Sequence, residues 1–235
     1  MTSFFRDPDS FQTLKKEVLP EVFASVANDS DFRVWVPGCS SGEEVYSLAM
    51  TILETLDDYP GKRVQLQMFG TDIDKRAIDK AREGLYPASI QADVSQERLN
   101  RFFCSEGDAY RIRKEVRDIV VFSVQDVLRD PPFSRLNLLC CRNLLIYLNA
   151  EAQKKLLPLF HYTLVPGGVM MLGSSETIGR FSSLFEVLST TWKIYKRRDV
   201  PESMLHRIEF PTGGQQNTAQ EALAPAESNP SSSLN

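Results

Sequence analysis

A chain of 235 residues with 42% hydrophobic and 10% aromatic side chains holds enough apolar material for one domain with a real core, and too little length for two large ones. Its net charge of −4 offers no basic stripe to neutralise phosphates, which argues against a nucleic-acid partner. No run reaches the eighteen or more apolar residues of a membrane span and no leader pattern opens the chain, so a cytoplasmic protein without membrane insertion is expected.

In chain order, residues 9–27 space Phe11, Leu14, Val18, Val22, Phe23 and Val26 at helical intervals, with Pro20 breaking or kinking the helix. Residues 32–36 form a short apolar strand that ends in Pro37-Gly38. Beyond Gly42, Val45, Leu48, Ala49, Ile52, Leu53 and Leu56 mark an amphipathic helix. The unit repeats as a strand over 64–69, the turn Gly70-Thr71-Asp72, and a helix over 75–83 stopped by Gly84. Further strands are expected at 119–124, 136–141 and 168–172, with a helix over 151–164. The segments 168–172 and 192–196 form an antiparallel edge pair. Such alternation predicts an α/β fold, a Rossmann-like parallel sheet with helices on both faces. Residues 95–117 interrupt it with a short helix (96–103) and a hairpin around Gly107, read as a small inserted β-subdomain. The domain boundaries that follow are an N-terminal segment 1–31, a catalytic domain 32–198, and a disordered tail or linker 199–235, where Gly, Gln, Ala, Pro and Ser displace apolar residues.

The cysteines Cys39, Cys104, Cys140 and Cys141 form no CxxC pair and have no histidines at ligand spacing. They read as small buried apolar residues, with no metal site. Of the two histidines, His161 reads as a helix-surface residue and His206 as a linker residue, neither of them a catalyst. The basic run Arg111, Arg113, Lys114 and Arg117 reads as a solvated face, with docking of an acidic partner as the alternative.

In doubly wound sheets ligands bind beyond the carboxyl ends of the strands, which directs attention to Pro37-Gly38-Cys39-Ser40-Ser41-Gly42. The GxGxxG fingerprint is absent, and Glu43-Glu44 at the helix start would repel a pyrophosphate. A cationic ligand without phosphates fits better. S-adenosylmethionine is one, and a carboxylate here could meet its ammonium; the two acids could equally serve only the helix dipole. Asp72, at the end of the second strand, is expected to bind ribose hydroxyls, and Asp74 to cap the next helix. Gln125-Asp126 and Arg142-Asn143 follow later strands and read either as site or as loop residues.

Four blocks, TSFFRDP (2–8), WVPGCSSGEEVYSLAM (35–50), GTDID (70–74) and CRNLLIYL (141–148), resemble the CheR-type chemotaxis protein-glutamate methyltransferases. They cover the chain to about residue 197. The run DVLRDPPFSRLNLLCCRNLLIYL also resembles the version fused to a methylesterase and sensor domains. The resemblance implies S-adenosylmethionine as cofactor and S-adenosylhomocysteine as product. It implies a cofactor site formed by Thr2, Arg6, Glu44, Asp72, Gln125, Asp126, Arg142 and Asn143, with Gly38 in the adjoining turn. Arg6 and Tyr147 are then the residues nearest the transferred methyl. Without the resemblance, Tyr147 reads first as a packed core aromatic. Gln125 stands where many members have asparagine. The family's N-terminal helical domain and the asparagine that opens its first motif are not in this sequence, so a truncated product or a piece of a fusion is expected. The implied partner is the cytoplasmic domain of a chemoreceptor, met by a monomer or by part of a multidomain fusion. The short hairpin loop 104–109 suggests that no receptor peptide is required. The alternatives are a silent module that binds the cofactor, or a methyltransferase for another carboxylate.

Overall fold

In a computed structural model, the structure describes residues 2–201. Residues 202–235 of the expected tail, and His206 with them, lie outside the described residues. The chain opens with α1 (Pro8–Thr13), a π-helical turn (Leu14–Val18) and α2 (Leu19–Ser25). Pro20 has no N–H to give to the preceding turn, and it sits in the first turn of α2, where none is needed. The wide π turn just before it takes up the misfit, so the segment neither stops nor splits.

The main body follows as β1 (Ser30–Pro37), α3 (Glu43–Asp57), β2 (Val64–Asp72) and α4 (Lys75–Glu83). Asp74 caps α4 as expected, accepting from the Arg76 and Ala77 N–H groups, and Gly84 ends it in the left-handed conformation. A smaller unit comes next: β3 (Leu85–Pro87), α5 (Gln96–Phe102), β4 (Phe103–Glu106), β5 (Ala109–Ile112) and α6 (Lys114–Arg117). The sheet resumes with β6 (Val120–Val124) and β7 (Leu136–Cys141), then α7 (Ala150–Thr163), β8 (Leu164–Leu172), β9 (Phe185–Ser189) and β10 (Ile194–Arg197).

Seven strands form the main sheet in the order β6-β2-β1-β7-β8-β10-β9, parallel except for β10, which runs antiparallel to both neighbours. The edge pair was legible in the sequence. The outermost strand, β9, was not, because FEVLS is short and its middle is exposed. The second sheet has the order β3-β5-β4, so the hairpin around Gly107 gains a third strand from upstream of the expected insertion.

Alternation along the central strands separates two apolar layers. Phe32, Val34, Val36, Leu138, Cys140, Val169 and Met171 share a layer with Val45, Leu48, Ala49 and Ile52 of α3. Trp35, Leu139, Cys141, Met170 and Leu172 share the other with Leu156, Leu157 and Phe160 of α7. All six positions of β7 are buried, as a central parallel strand requires. Among the described residues no helix is long and apolar enough to cross a membrane.

Two single-residue expectations are corrected. Cys104 is exposed on the solvent side of β4, while Cys39, Cys140 and Cys141 are buried. His161 is fully buried rather than on the helix surface: it lies on the inner side of α7 against Phe185, with Nε2 at 2.8 Å from the Arg198 carbonyl oxygen. The basic run is locally paired, Arg111 with Glu106 and Lys114 with Asp118, and both Arg111 and Arg117 donate to the Glu83 carbonyl at the end of α4.

Gly70 in β2 shows how tightly the layer over α3 is packed. A Cβ there would stand 2.6 Å from the Phe122 ring and 2.9 Å from Val45. Gly70→Ala is expected to destabilise the domain by about 1–3 kcal/mol through overpacking. The measurement is a urea titration, and the expected result is a lower midpoint at unchanged slope. An unchanged midpoint would mean that Phe122 gives way freely.

Candidate active site

Strand order reverses between β1 and β7, the switch point where doubly wound sheets leave a crevice. A cleft of about 340 Å³ opens there, at the carboxyl ends of β1, β2 and β7. It brings together Thr2, Arg6, Gly38, Glu44, Asp72, Arg142, Asn143 and Tyr147.

The floor is the turn after β1. The Cys39 N–H donates to the Thr71 carbonyl at 2.9 Å, and the Ser40 N–H donates to Asp72 Oδ2 at 2.8 Å. The other oxygen of Asp72 accepts from the Asp74 N–H at 2.9 Å. One carboxylate therefore fixes both loops while standing at the cleft. Gly38 has φ 69°, and a Cβ would meet the Leu144 side chain at 3.0 Å, so backbone and leucine close one wall together.

The two acids that open α3 diverge. Glu43 turns from the cleft and accepts from the Ser41 hydroxyl, and burial pushes its pKa up. Glu44 faces the cleft and receives Arg142 Nη1 at 3.0 and 3.2 Å and the Cys140 thiol at 3.2 Å. Arg142 Nη2 reaches Asp7 at 2.6 Å. The Arg142 side chain is only 3% exposed. Burial works against its charge, but Glu44, Cys140 and Asp7 outweigh it, and its pKa is raised.

The N-terminal segment forms the remaining wall. Phe4 sits edge-on against Tyr86 and Phe103 of the small sheet, and Phe5 packs on Phe11 beneath the Arg98 guanidinium. The Phe5 N–H donates to the Ser47 hydroxyl at 2.9 Å. Phe5 and Asp7 both have positive φ, 47° and 58°, a strained state for a non-glycine backbone. Between them, Arg6 is exposed in the cleft and has no hydrogen-bond partner among the described residues. Tyr147, which lines the same cleft, ends a 3-10 turn (Leu145–Tyr147) and is 80% exposed, which overturns the reading of it as a packed core aromatic.

Gln125 and Asp126 do not line this cleft. Both follow β6, where the Gln125 N–H donates to the Asp72 carbonyl, and their side chains serve their own turn. Gln125 Nε2 donates to the Pro131 carbonyl at 2.8 Å, and Asp126 Oδ1 accepts from the Leu128 N–H at 2.9 Å. Gln125 Oε1 is buried without a partner. Sequence reasoning missed two acids, Asp7 on Arg142 and Glu176 behind Asn143. Asp7 stood unassigned inside a recognised block. Glu176 offered only its place just beyond a strand end.

The family described as CheR methyltransferase, SAM binding domain, matches residues 1–194. The uncharacterized 104.1 kDa protein in the hypE 3′ region of Rhodobacter capsulatus is 41% identical over 196 residues, 83% of this chain and 20% of that protein. The chemotaxis protein methyltransferase of Vibrio anguillarum is 33% identical over 190 residues, 80% of this chain and 68% of that one. The putative methyltransferase Cher3 of Pseudomonas putida is 32% identical over 210 residues, 84% of this chain and 72% of that one. This chain thus spans a fifth of the first of these relatives and about two thirds of the second. Among solved structures, a TehB-like SAM-dependent methyltransferase from Corynebacterium glutamicum aligns with a TM-score of 0.42 at 12% identity, covering 81% of this chain and 94% of that one, too distant a likeness to carry an argument.

The Arg142 pairings carry a measurable load. Arg142→Met leaves Glu44, 13% exposed, without its counter-charge, and should destabilise the domain by about 3–5 kcal/mol. Adding Glu44→Gln should recover more than half of that loss in the same denaturant titration. A single-variant loss below about 1 kcal/mol, the level of a surface pair, would mean that water reaches Glu44 freely.

Proposed function

This chain belongs to the CheR methyltransferase family as an S-adenosylmethionine-dependent methyltransferase domain, and from that premise we propose that it esterifies glutamate side chains on the cytoplasmic domain of a chemoreceptor. The observation that carries the substrate class is that the unpaired Arg6 guanidinium and the exposed Tyr147 line the same cleft: a cation and a hydroxyl suited to a carboxylate.

The cleft suits the cofactor in size and donor set. About 340 Å³ lies within the range of small-molecule sites, roughly 300–1,000 Å³. In this reading Asp72 takes the ribose hydroxyls, and Glu44 and Arg142 hold the methionine end with Thr2 and Asn143. Glu44 has lone pairs to spare beyond those used by Arg142 and Cys140. Gln125 and Asp126 are assigned the adenine side in this reading on the family resemblance, supported by the position of their turn just beyond β6, next to the end of β2. When bound, S-adenosylmethionine supplies a methyl group activated on a sulfonium.

The protein's own task is then to hold and dehydrate a nucleophile. A glutamate with a reference pKa of about 4.3 is ionised at neutral pH and needs no general base. That agrees with a cleft lined by no histidine among the described residues, His161 being buried on the inner side of α7. Arg6 aligns the carboxylate, the Tyr147 hydroxyl fixes one oxygen, and positioning of this kind is worth roughly 7–11 kcal/mol of barrier. Arg6 must not neutralise the nucleophile too well, and its exposed side chain keeps its grip adjustable. The tight turn between β4 and β5, just Gly107 and Asp108, supports docking without a receptor peptide.

The test is transfer from labelled S-adenosylmethionine to a chemoreceptor cytoplasmic domain, scored as methanol released by alkali. Arg6→Ala should lower kcat/KM on the order of 100-fold, and Tyr147→Phe should lower kcat about tenfold while S-adenosylhomocysteine still binds. Cofactor binding without alkali-labile methanol in the wild type would reject the receptor carboxylate as substrate.

A further inference from the structure

Glu176 is 4% exposed, and its carboxylate is committed to backbone. Oε2 accepts from the Gly173 N–H at 2.7 Å and the Asn143 N–H at 3.0 Å, and Oε1 accepts from the Leu145 N–H at 2.7 Å. Two of the three donors belong to the segment that leaves β7 and carries Arg142, Asn143, Leu144 and Tyr147 to the cleft. The third lies just past the end of β8, so one side chain ties together the ends of two adjacent parallel strands.

The fit is close on both sides. Asn143 has φ 58°, a conformation the loop must be held in. Gly173 has no space for a side chain: a Cβ would stand 2.8 Å from Glu176 Oε2 and 3.0 Å from the Asn143 nitrogen. Charge-assisted bonds from a buried carboxylate to backbone N–H groups are short and strong, and they fix where each donor points. Leu144, carried by the same loop, meets Gly38 on the opposite wall.

We propose that Glu176 is a positioning residue for methyl transfer: it sets the 142–147 loop so that Asn143 faces the cofactor and Tyr147 faces the reacting carboxylate. It touches neither ligand. The part of this that concerns Tyr147 rests on the substrate reading above; the part that concerns the cofactor does not.

The experiment compares the wild-type chain with Glu176→Gln and Gly173→Ala by calorimetric titration of S-adenosylhomocysteine, by kcat and KM for S-adenosylmethionine, and by thermal unfolding. The amide in Glu176→Gln keeps the shape but turns an N–H toward at least one backbone donor. It should raise the Kd and the KM about tenfold and lower kcat on the order of 100-fold in protein that still unfolds cooperatively. Gly173→Ala displaces the same contacts from the other side while keeping the charge. It should move Kd and KM in the same direction, and it decides the matter if Glu176→Gln does not fold. A lower unfolding temperature with Kd and KM unchanged per folded molecule would overturn the proposal, since a purely structural residue reduces only the active fraction. Should the wild type methylate no receptor, the substrate reading fails, and the homocysteine titration still decides for or against Glu176.

Discussion

A guanidinium sealed from water must be met by carboxylates, and Arg142 meets two that come from distant parts of the chain. Glu44 reaches it from the first turn of α3, and Asp7 from the segment before α1. The end of β7, the start of α3 and the N-terminal segment can therefore be assembled in one way only if both pairs form. Removing either partner leaves a buried charge exposed to a low-dielectric surrounding, which is a heavier penalty than any single apolar contact nearby.

That arrangement explains why a strained N-terminal segment persists. Two non-glycine residues in left-handed conformations work against the segment by about 1–3 kcal/mol each. Against this stand two nearly buried phenylalanines, Phe4 and Phe5, at 2% and 3% exposure. Each contributes roughly 1.5–3 kcal/mol of transfer free energy, with aromatic edge contacts and the Asp7 ion pair in addition. The strain is what turns Arg6 outward while its two neighbours on the N-terminal side turn inward. The Glu54 carboxylate supports the same segment from below, held by Arg98 and Lys15. Burial would raise its pKa, and those two cations bring it below the usual carboxylate range. A lowered carboxylate pKa stabilises the fold above the unfolded value and is lost as pH falls through the folded one, so this support weakens only in acid.

The sheet was legible because the period-3.6 pattern of α3 and the short, nearly continuous apolar runs of the buried strands β1 and β7 stand out between polar turns. Gly38, Glu44 and Asp72 were legible for another reason, since small residues and acids at strand ends are scarce in a core and stand out, whereas Thr2, Arg6 and Tyr147 stood out only through the family resemblance. The pattern could not separate Glu43 from Glu44. Adjacent helical positions lie 100° apart, and which one meets Arg142 depends on a side chain nearly a hundred residues away. Gln125, just past the end of β6, read from pattern either as a site or as a loop residue, and its side-chain amide donates to the Pro131 carbonyl of its own turn, a partner that spacing alone does not reveal. Glu176 was invisible because its partners are backbone groups, which leave no trace in the identity of residues 143 and 145.

Burial divides the site by task. Glu44, Asp72, Arg142 and Asn143, the groups assigned to the cofactor in the proposed function, have backbone or side-chain atoms already bonded to other protein groups, so binding need not order them. Arg6 and Tyr147, the groups assigned to the substrate in the proposed function, are exposed and make no such side-chain bonds among the described residues. A small constant cofactor repays a rigid pocket. Under the proposed function, a carboxylate on another protein's surface arrives with its own geometry, and the side chains that meet it adjust within a frame that does not. Arg142 and Glu176 supply that frame, because each fixes one end of the loop that carries Tyr147, while Asp7 extends the same constraint to the residue beside it, Arg6.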